Sequence, residues 1–126
     1  MAEVKYSFDA INDLDEIGDY ISRTLHSPLA AFNTTNNIRI SISLLSEFPF
    51  SGAPLSSIIG IDTDIRFLVC GNYLIFYRVE DNIVTIGRIL YGKRNYLSIL
   101  FSNLPKSTES VGDVTLIEQQ TEKGKK

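Results

Sequence analysis

The sequence predicts an α+β fold: an antiparallel sheet, built from an N-terminal strand and a three-strand C-terminal meander, with two N-terminal helices packed on one face. Three observations predict it. Residues 3–8 alternate polar and apolar side chains, and residues 11–25 repeat apolar ones every three or four positions. Residues 65–91 hold three runs rich in Ile, Val, Phe and Tyr, separated by two short polar breaks. Strand, helices, then consecutive strands is the order of a two-layer sandwich.

In Glu3-Val4-Lys5-Tyr6-Ser7-Phe8, the residues Val4, Tyr6 and Phe8 fall on one face of a half-buried strand. Asp9 is the expected N-cap of the following helix. That helix carries Ile11, Leu14, Ile17, Ile21 and Leu25 on its apolar side and acidic residues opposite, read as a solvated face. Ser27-Pro28 ends it and opens the next segment. Residues 28–48 are ambiguous on pattern. Ile38, Ile40, Ile42 and Leu44 alternate as in a strand, while Ala31, Phe32, Thr35, Ile38, Ile42 and Leu45 share a helical face.

Phe48-Pro49-Phe50-Ser51-Gly52-Ala53-Pro54 reads as a helix stop and loop, and residues 55–64 as a surface connector. Three strands follow, Ile65–Cys70, Tyr73–Glu80 and Ile83–Tyr91, joined by turns at Gly71-Asn72 and Asp81-Asn82. Strict alternation sets Arg66, Leu68 and Cys70 on one face, opposite Phe67 and Val69. It sets Tyr73, Ile75, Tyr77 and Val79 opposite Leu74, Phe76 and Arg78, and Val84, Ile86, Arg88 and Leu90 opposite Ile83, Thr85, Ile89 and Tyr91. Arg94–Phe101 has the length of a short terminal helix or turn. The domain is expected over residues 1–104, and residues 105–126 as a polar, flexible tail in which only Val114–Ile117 has strand character.

With 126 residues, 44% of them hydrophobic and 21% charged, the composition is that of one ordinary globular domain. The net charge is −3, which argues against a protein devoted to neutralising phosphates. Cys70 is the single cysteine, so no internal disulfide can form, and a reducing compartment is expected. Residues 1–6 lack the pattern of a signal peptide, and no apolar run reaches the roughly 20 residues of a membrane helix, so a cytoplasmic protein without membrane contact is expected. There is no P-loop, Rossmann fingerprint, HExxH or zinc cysteine pair, and no metal or cofactor site is legible. His26 reads as a solvated helix end, and Cys70 as an inert thiol in a strand. The remaining chemistry lies in the arginines and tyrosines of residues 65–101. Their residue types suit an RNA backbone with base stacking or an acidic protein segment, and equally suit ordinary solvated strand positions.

The run from Arg66 through Tyr73-Leu74-Ile75-Phe76-Tyr77-Arg78 to the Asp81-Asn82 turn, and then Val84 to Leu90-Tyr91-Gly92-Lys93-Arg94-Asn95-Tyr96, resembles the C-terminal half of the RelE/ParE toxins of type II toxin–antitoxin systems. The N-terminal half agrees through Asp13-Leu14, Ile17, Tyr20-Ile21, Pro28, Ala30-Ala31, Leu45, Phe48-Pro49 and Gly52, so that the resemblance spans about residues 3–101. It implies the RelE/ParE-like, microbial-RNase-like sandwich, and it makes residues 28–48 helical. It also implies a growth-arresting toxin neutralised by a cognate antitoxin, which adds a helix or strand to the toxin, with either the ribosome and its mRNA or DNA gyrase as target. A dimer and a heteromeric toxin–antitoxin complex both remain open as assemblies.

In the nuclease branch an arginine usually follows the first tyrosine of the Tyr-x-Ile-Phe-Tyr strand, where this chain has Leu74. Many relatives carry a histidine at the end of the last strand, where Tyr91 stands. Arg94 matches the arginine of the Gly-Lys-Arg turn, and Leu100 occupies the spacing of a terminal tyrosine for which Tyr96 is the nearby substitute. The expected catalytic residues are therefore Arg66, Arg88, Tyr91, Arg94 and Tyr96, with Arg78 and Lys93 contacting the target. Ribosome-dependent mRNA cleavage ranks first, gyrase inhibition second, and a non-catalytic antitoxin-binding member third.

Overall fold

A computed structural model describes residues 1–101. The expected domain boundary at 104, the tail 105–126 and the strand character of Val114–Ile117 lie outside the described residues. Residues 1–92 form one unit, and residues 93–101 belong to a second.

Strand β1 runs over Glu3–Tyr6, two residues shorter than alternation predicts. Ser7 ends it. The Ser7 hydroxyl accepts a 3.0 Å hydrogen bond from Ala10 N–H and so caps α1 (Phe8–Asp19) in place of Asp9. Phe8, expected on the buried face with Val4 and Tyr6, instead opens the helix and is 76% exposed. The face α1 buries is Ala10, Asp13 and Leu14, with Ile17 packed alongside, while Ile11 stays exposed.

The helix then widens into a π-helical turn over Tyr20–Thr24, where Leu25 N–H reaches back to Tyr20 O at 3.2 Å. His26 adopts a left-handed φ of 55° and stops it. Ser27 caps α2 (Pro28–Ser43), and Pro28 takes the first turn, where its missing N–H costs nothing. Helix α2 buries Ala31, Thr35, Ile38 and Ile42, so the helical face wins over strand alternation. Buried Thr35 is satisfied within the helix, its hydroxyl donating to Ala31 O at 2.9 Å.

The end of the expected loop forms the short β2 (Ala53–Pro54), and the expected plain connector holds the single-turn α3 (Ser56–Ile59). The meander is β3 (Arg66–Cys70), β4 (Tyr73–Glu80) and β5 (Ile83–Tyr91). Asp81 and Asn82 both take positive φ, 54° and 62°, as a two-residue hairpin turn matched to strand twist requires. Sheet order is β1-β5-β4-β3-β2. Only β1 pairs in parallel, with β5, and the other neighbours are antiparallel.

One irregularity changes the predicted faces. Tyr77 pairs with Ile86 but Phe76 with Arg88, so Gly87 is an extra residue on β5. Strict alternation fails there. Val84, Ile86 and Ile89 all join Ile75 and Tyr77 in the core against Ala10, Leu14, Ile38, Ile42 and Leu45. Tyr91 consequently faces the same way as Tyr73, its direct partner across the strands.

The second unit contains α4 (Tyr96–Leu100), capped by Phe101 N–H donating to Leu97 O at 3.0 Å, the helix among the two forms, short helix or turn, expected for Arg94–Phe101.

Candidate functional site

The chemistry of the sheet is best followed from its edge at β5. Parallel pairing with β1 stops at Tyr6 and Ile86, which leaves the rest of that edge with polar backbone to satisfy. Ser7 and Asp13 take over. Ser7 N–H donates to Ile86 O at 2.9 Å, and its hydroxyl donates to Gly87 O at 2.9 Å. Asp13 Oδ2 accepts from Ile89 N–H at 2.9 Å. The same carboxylate receives Arg88 Nε at 2.7 Å and Nη2 at 2.8 Å, a two-pronged ion pair. Asp13 is only 6% exposed, which corrects its reading as part of a solvated acidic face. Hydrogen bonding to Asp13 raises the pKa of Arg88, partial burial opposes this, and the charges of Asp13, Asp9 and Glu16 add to the rise.

Arg66 is engaged at the other side of the sheet. Its Nε and Nη2 donate to Gly52 O at 3.1 and 2.7 Å, and Nη2 also donates to Phe50 O at 3.1 Å. Its guanidinium lies over the Phe50 ring, 5.3 Å from the centroid. Gly52 N–H in turn donates to the buried Tyr77 hydroxyl at 2.9 Å. A Cβ at residue 52 would fall 2.6 Å from both Phe67 O and Tyr77 Oη, so the loop approaches the sheet at glycine distance. Arg78 Nε pairs with Asp64 Oδ1 at 2.7 Å, with both side chains exposed.

Tyr91 lies in a third place. Its ring meets Tyr73 edge-on, centroids 5.8 Å apart and planes at 61°. Burial raises the Tyr73 pKa first, and the neighbouring Tyr91 and Tyr20 phenols add to it. Tyr20, the first residue of the π-helical turn, thus shares the neighbourhood of Tyr73 with Tyr91. Four strand positions, about 13 Å, separate the Tyr73–Tyr91 row from the Tyr77–Arg66 row. In the second unit Lys93 and Arg94 are exposed, and Arg94 O accepts from Tyr96 N–H at 2.8 Å.

Arg66, Arg78, Arg88 and Tyr91 are thus held by four separate sets of partners. Phenol groups can stack on bases or donate hydrogen bonds, but a raised pKa makes Tyr73 a still poorer base at neutral pH. Sequence reasoning missed Asp13, Tyr20 and Tyr73 as partners in these arrangements. The spacing of Asp13 from Ala10, Leu14 and Ile17 on a helical face was the available signal. Half-buried Cys70 packs at the margin of the core, and no group of His, Cys, Asp and Glu among the described residues could hold a metal ion. No helix among the described residues is long and apolar enough to cross a membrane.

The family model of the ParE toxin of the type II toxin–antitoxin system parDE matches residues 4–96. The chain belongs to the ParE toxin family. Its ParE fold is similar to a solved structure described as the chromosomal ParDE TA system from P. aeruginosa, with 25% sequence identity and a TM-score of 0.61. The likeness covers 72% of this chain and 96% of that one. No curated protein sequence matches it. The ParE match over residues 4–96 takes in the motifs on which the resemblance to RelE/ParE toxins rested, from Asp13-Leu14 through Phe48-Pro49 and Gly52 to Tyr73–Tyr77 and Tyr91–Tyr96.

Proposed function

We propose that this ParE-family toxin arrests growth by binding DNA gyrase as a non-catalytic inhibitor, and that a cognate antitoxin silences it. The observation that carries this reading is the engagement of the strand arginines. Cleavage of RNA needs a cation on the phosphate beside groups that move protons. Arg88 is held by Asp13, Arg66 by the Phe50–Gly52 backbone and Arg78 by Asp64. Leu74 and Tyr91 stand where the nuclease branch carries arginine and histidine. These features reverse the order expected from the sequence, in which mRNA cleavage came first. A binder needs only a surface. Exposed Tyr20 and Tyr91 in the first unit, and exposed Lys93 and Arg94 in the second, are aromatic and cationic groups of the kinds such surfaces use.

The sheet supports the antitoxin half of the reading. Strand β2 pairs only with Arg66 and Phe67, so among the described residues Leu68–Cys70 present an unpaired edge to which an added strand can bond. Both the toxin and its target would then meet in the cytoplasm.

The test is direct. The purified chain is added to gyrase with relaxed plasmid, and separately to ribosomes translating a defined message. Loss of supercoiling with an intact message supports the proposal. A message cut within codons, with supercoiling untouched, overturns it in favour of the nuclease reading.

A further inference from the structure

Beside the Asp13–Arg88 pair runs a second polar line. Asp9, Asn12, Glu16 and Tyr20 recur at intervals of three, four and four residues, so they form one exposed stripe along α1 into the first residue of the π-helical turn, about 16 Å in length. The stripe flanks Asp13, the residue that reaches the β5 edge. The charges of Asp9 and Glu16 both act on Arg88, yet Asp13 alone pairs with it. At the far end Tyr20, 55% exposed, lies near Tyr73 and Tyr91, whose rings meet edge-on, and Tyr91 is itself 39% exposed. Three phenol rings thus stand at the end of a line of carboxylates. The π-helical turn that begins at Tyr20 is an irregularity common at functional sites.

We infer that this stripe docks a basic segment of DNA gyrase, drawn from the Lys- and Arg-bearing surface with which that enzyme holds DNA. The inference rests on the gyrase reading above and adds where on each protein the contact forms. Charge selects the occupant. Residues 1–92 hold six Lys and Arg side chains against eleven Asp and Glu, a net charge of −5. Four of those six cations are engaged: Arg23 by Asp19, Arg78 by Asp64, Arg88 by Asp13 and Arg66 by backbone carbonyls. Asp9 and Glu16 make no ion pair among the described residues. A nucleic acid would be repelled here. An uncharged apolar partner would strip water from both carboxylates and offer no counter-charge in its place.

A basic segment answers both features. Its cations pair with Asp9 and Glu16, and an arginine reaching the end of the stripe lies over the phenol faces of Tyr20 and Tyr91. An extended segment rises about 3.3 Å per residue, so roughly five residues cover the stripe. Any protein that holds duplex DNA neutralises phosphates with Lys and Arg, which supplies such segments on gyrase. The antitoxin strand proposed above belongs elsewhere, at the β3 edge, which β4 separates from β5. The chain and DNA therefore compete for one surface of gyrase.

The test measures binding of the full chain to purified gyrase by fluorescence anisotropy, at low and high salt and with short duplex DNA as competitor. Affinity should fall as salt rises, and excess duplex should displace the chain. The double variant Asp9→Asn with Glu16→Gln, and Tyr20→Ala alone, should each weaken binding roughly tenfold, while Tyr20→Phe, which keeps the ring, should bind like the original. Glu47→Gln with Asp62→Asn makes the same charge change away from the stripe and should alter affinity less than about twofold. Circular dichroism establishes that each variant is folded. Binding that duplex DNA does not displace, or stripe variants no weaker than the Glu47 and Asp62 control, would overturn this inference and leave the gyrase reading standing. A chain that neither binds gyrase nor blocks supercoiling would overturn both.

Discussion

Asp13 of α1 holds Arg88 of β5 through two hydrogen bonds of 2.7 and 2.8 Å, and the same carboxylate accepts Ile89 N–H at 2.9 Å. One buried side chain thus seals the edge that β1 is too short to cover, next to the extra residue Gly87. Asp13→Ala leaves a half-buried guanidinium and a backbone N–H without their acceptor. It should destabilise the fold by about 2–4 kcal/mol. Urea unfolding of Asp13→Ala, Arg88→Ala and the double variant measures this, and the double should cost less than the sum of the singles.

The Phe48–Gly52 loop is fixed to the sheet at two points, Arg66 onto the Gly52 and Phe50 carbonyls and the Tyr77 hydroxyl under Gly52 N–H. Tyr77→Phe removes a buried acceptor and should cost about 1–2 kcal/mol. Gly52→Ala should cost more, because its Cβ would lie 2.6 Å from backbone oxygen and has nowhere to move. Thermal melts of the two variants give the order.

Burial and its phenolic neighbours raise the Tyr73 pKa above the ordinary value near 10. The sign follows from linkage. A group that holds its proton more tightly when folded contributes stability that is complete below the unfolded pKa and is lost as pH rises through the folded one. The stability of the chain should therefore fall above about pH 10, and Tyr73→Phe should flatten part of that decline in urea titrations repeated across alkaline pH.

The Asp81-Asn82 turn places two non-glycine residues at positive φ. Asn tolerates that region and β-branched residues do not, so Asn82→Val should lose about 1–2 kcal/mol while Asn82→Gly holds or gains a few tenths. Equilibrium unfolding of the pair checks the contrast.

The fold was legible where local pattern and packing agree, as in Leu14 and Ile17 on α1 or the apolar runs flanking the Asp81-Asn82 turn. It was not legible where one residue overrides a period. Ser7 captured the α1 cap because its hydroxyl also reaches Gly87 O, a contact eighty residues distant. Gly87 shifted the faces of β5 because a bulge leaves no mark in alternation beyond the glycine itself. The arginines of the candidate site were legible as residues, but their partners were not. Nothing in the spacing of Arg88 reveals Asp13, seventy-five residues earlier, since only tertiary packing of α1 on the β5 edge brings them together.

The central claim is that Arg88 serves the fold and not the target. Its sharpest test replaces the charged pair by a neutral one of similar shape, Asp13→Asn with Arg88→Gln, in cells where the unaltered chain arrests growth. With soluble, folded protein at matched levels, growth arrest should persist. A folded variant that no longer arrests growth would place Arg88 in the toxic machinery and contradict the account.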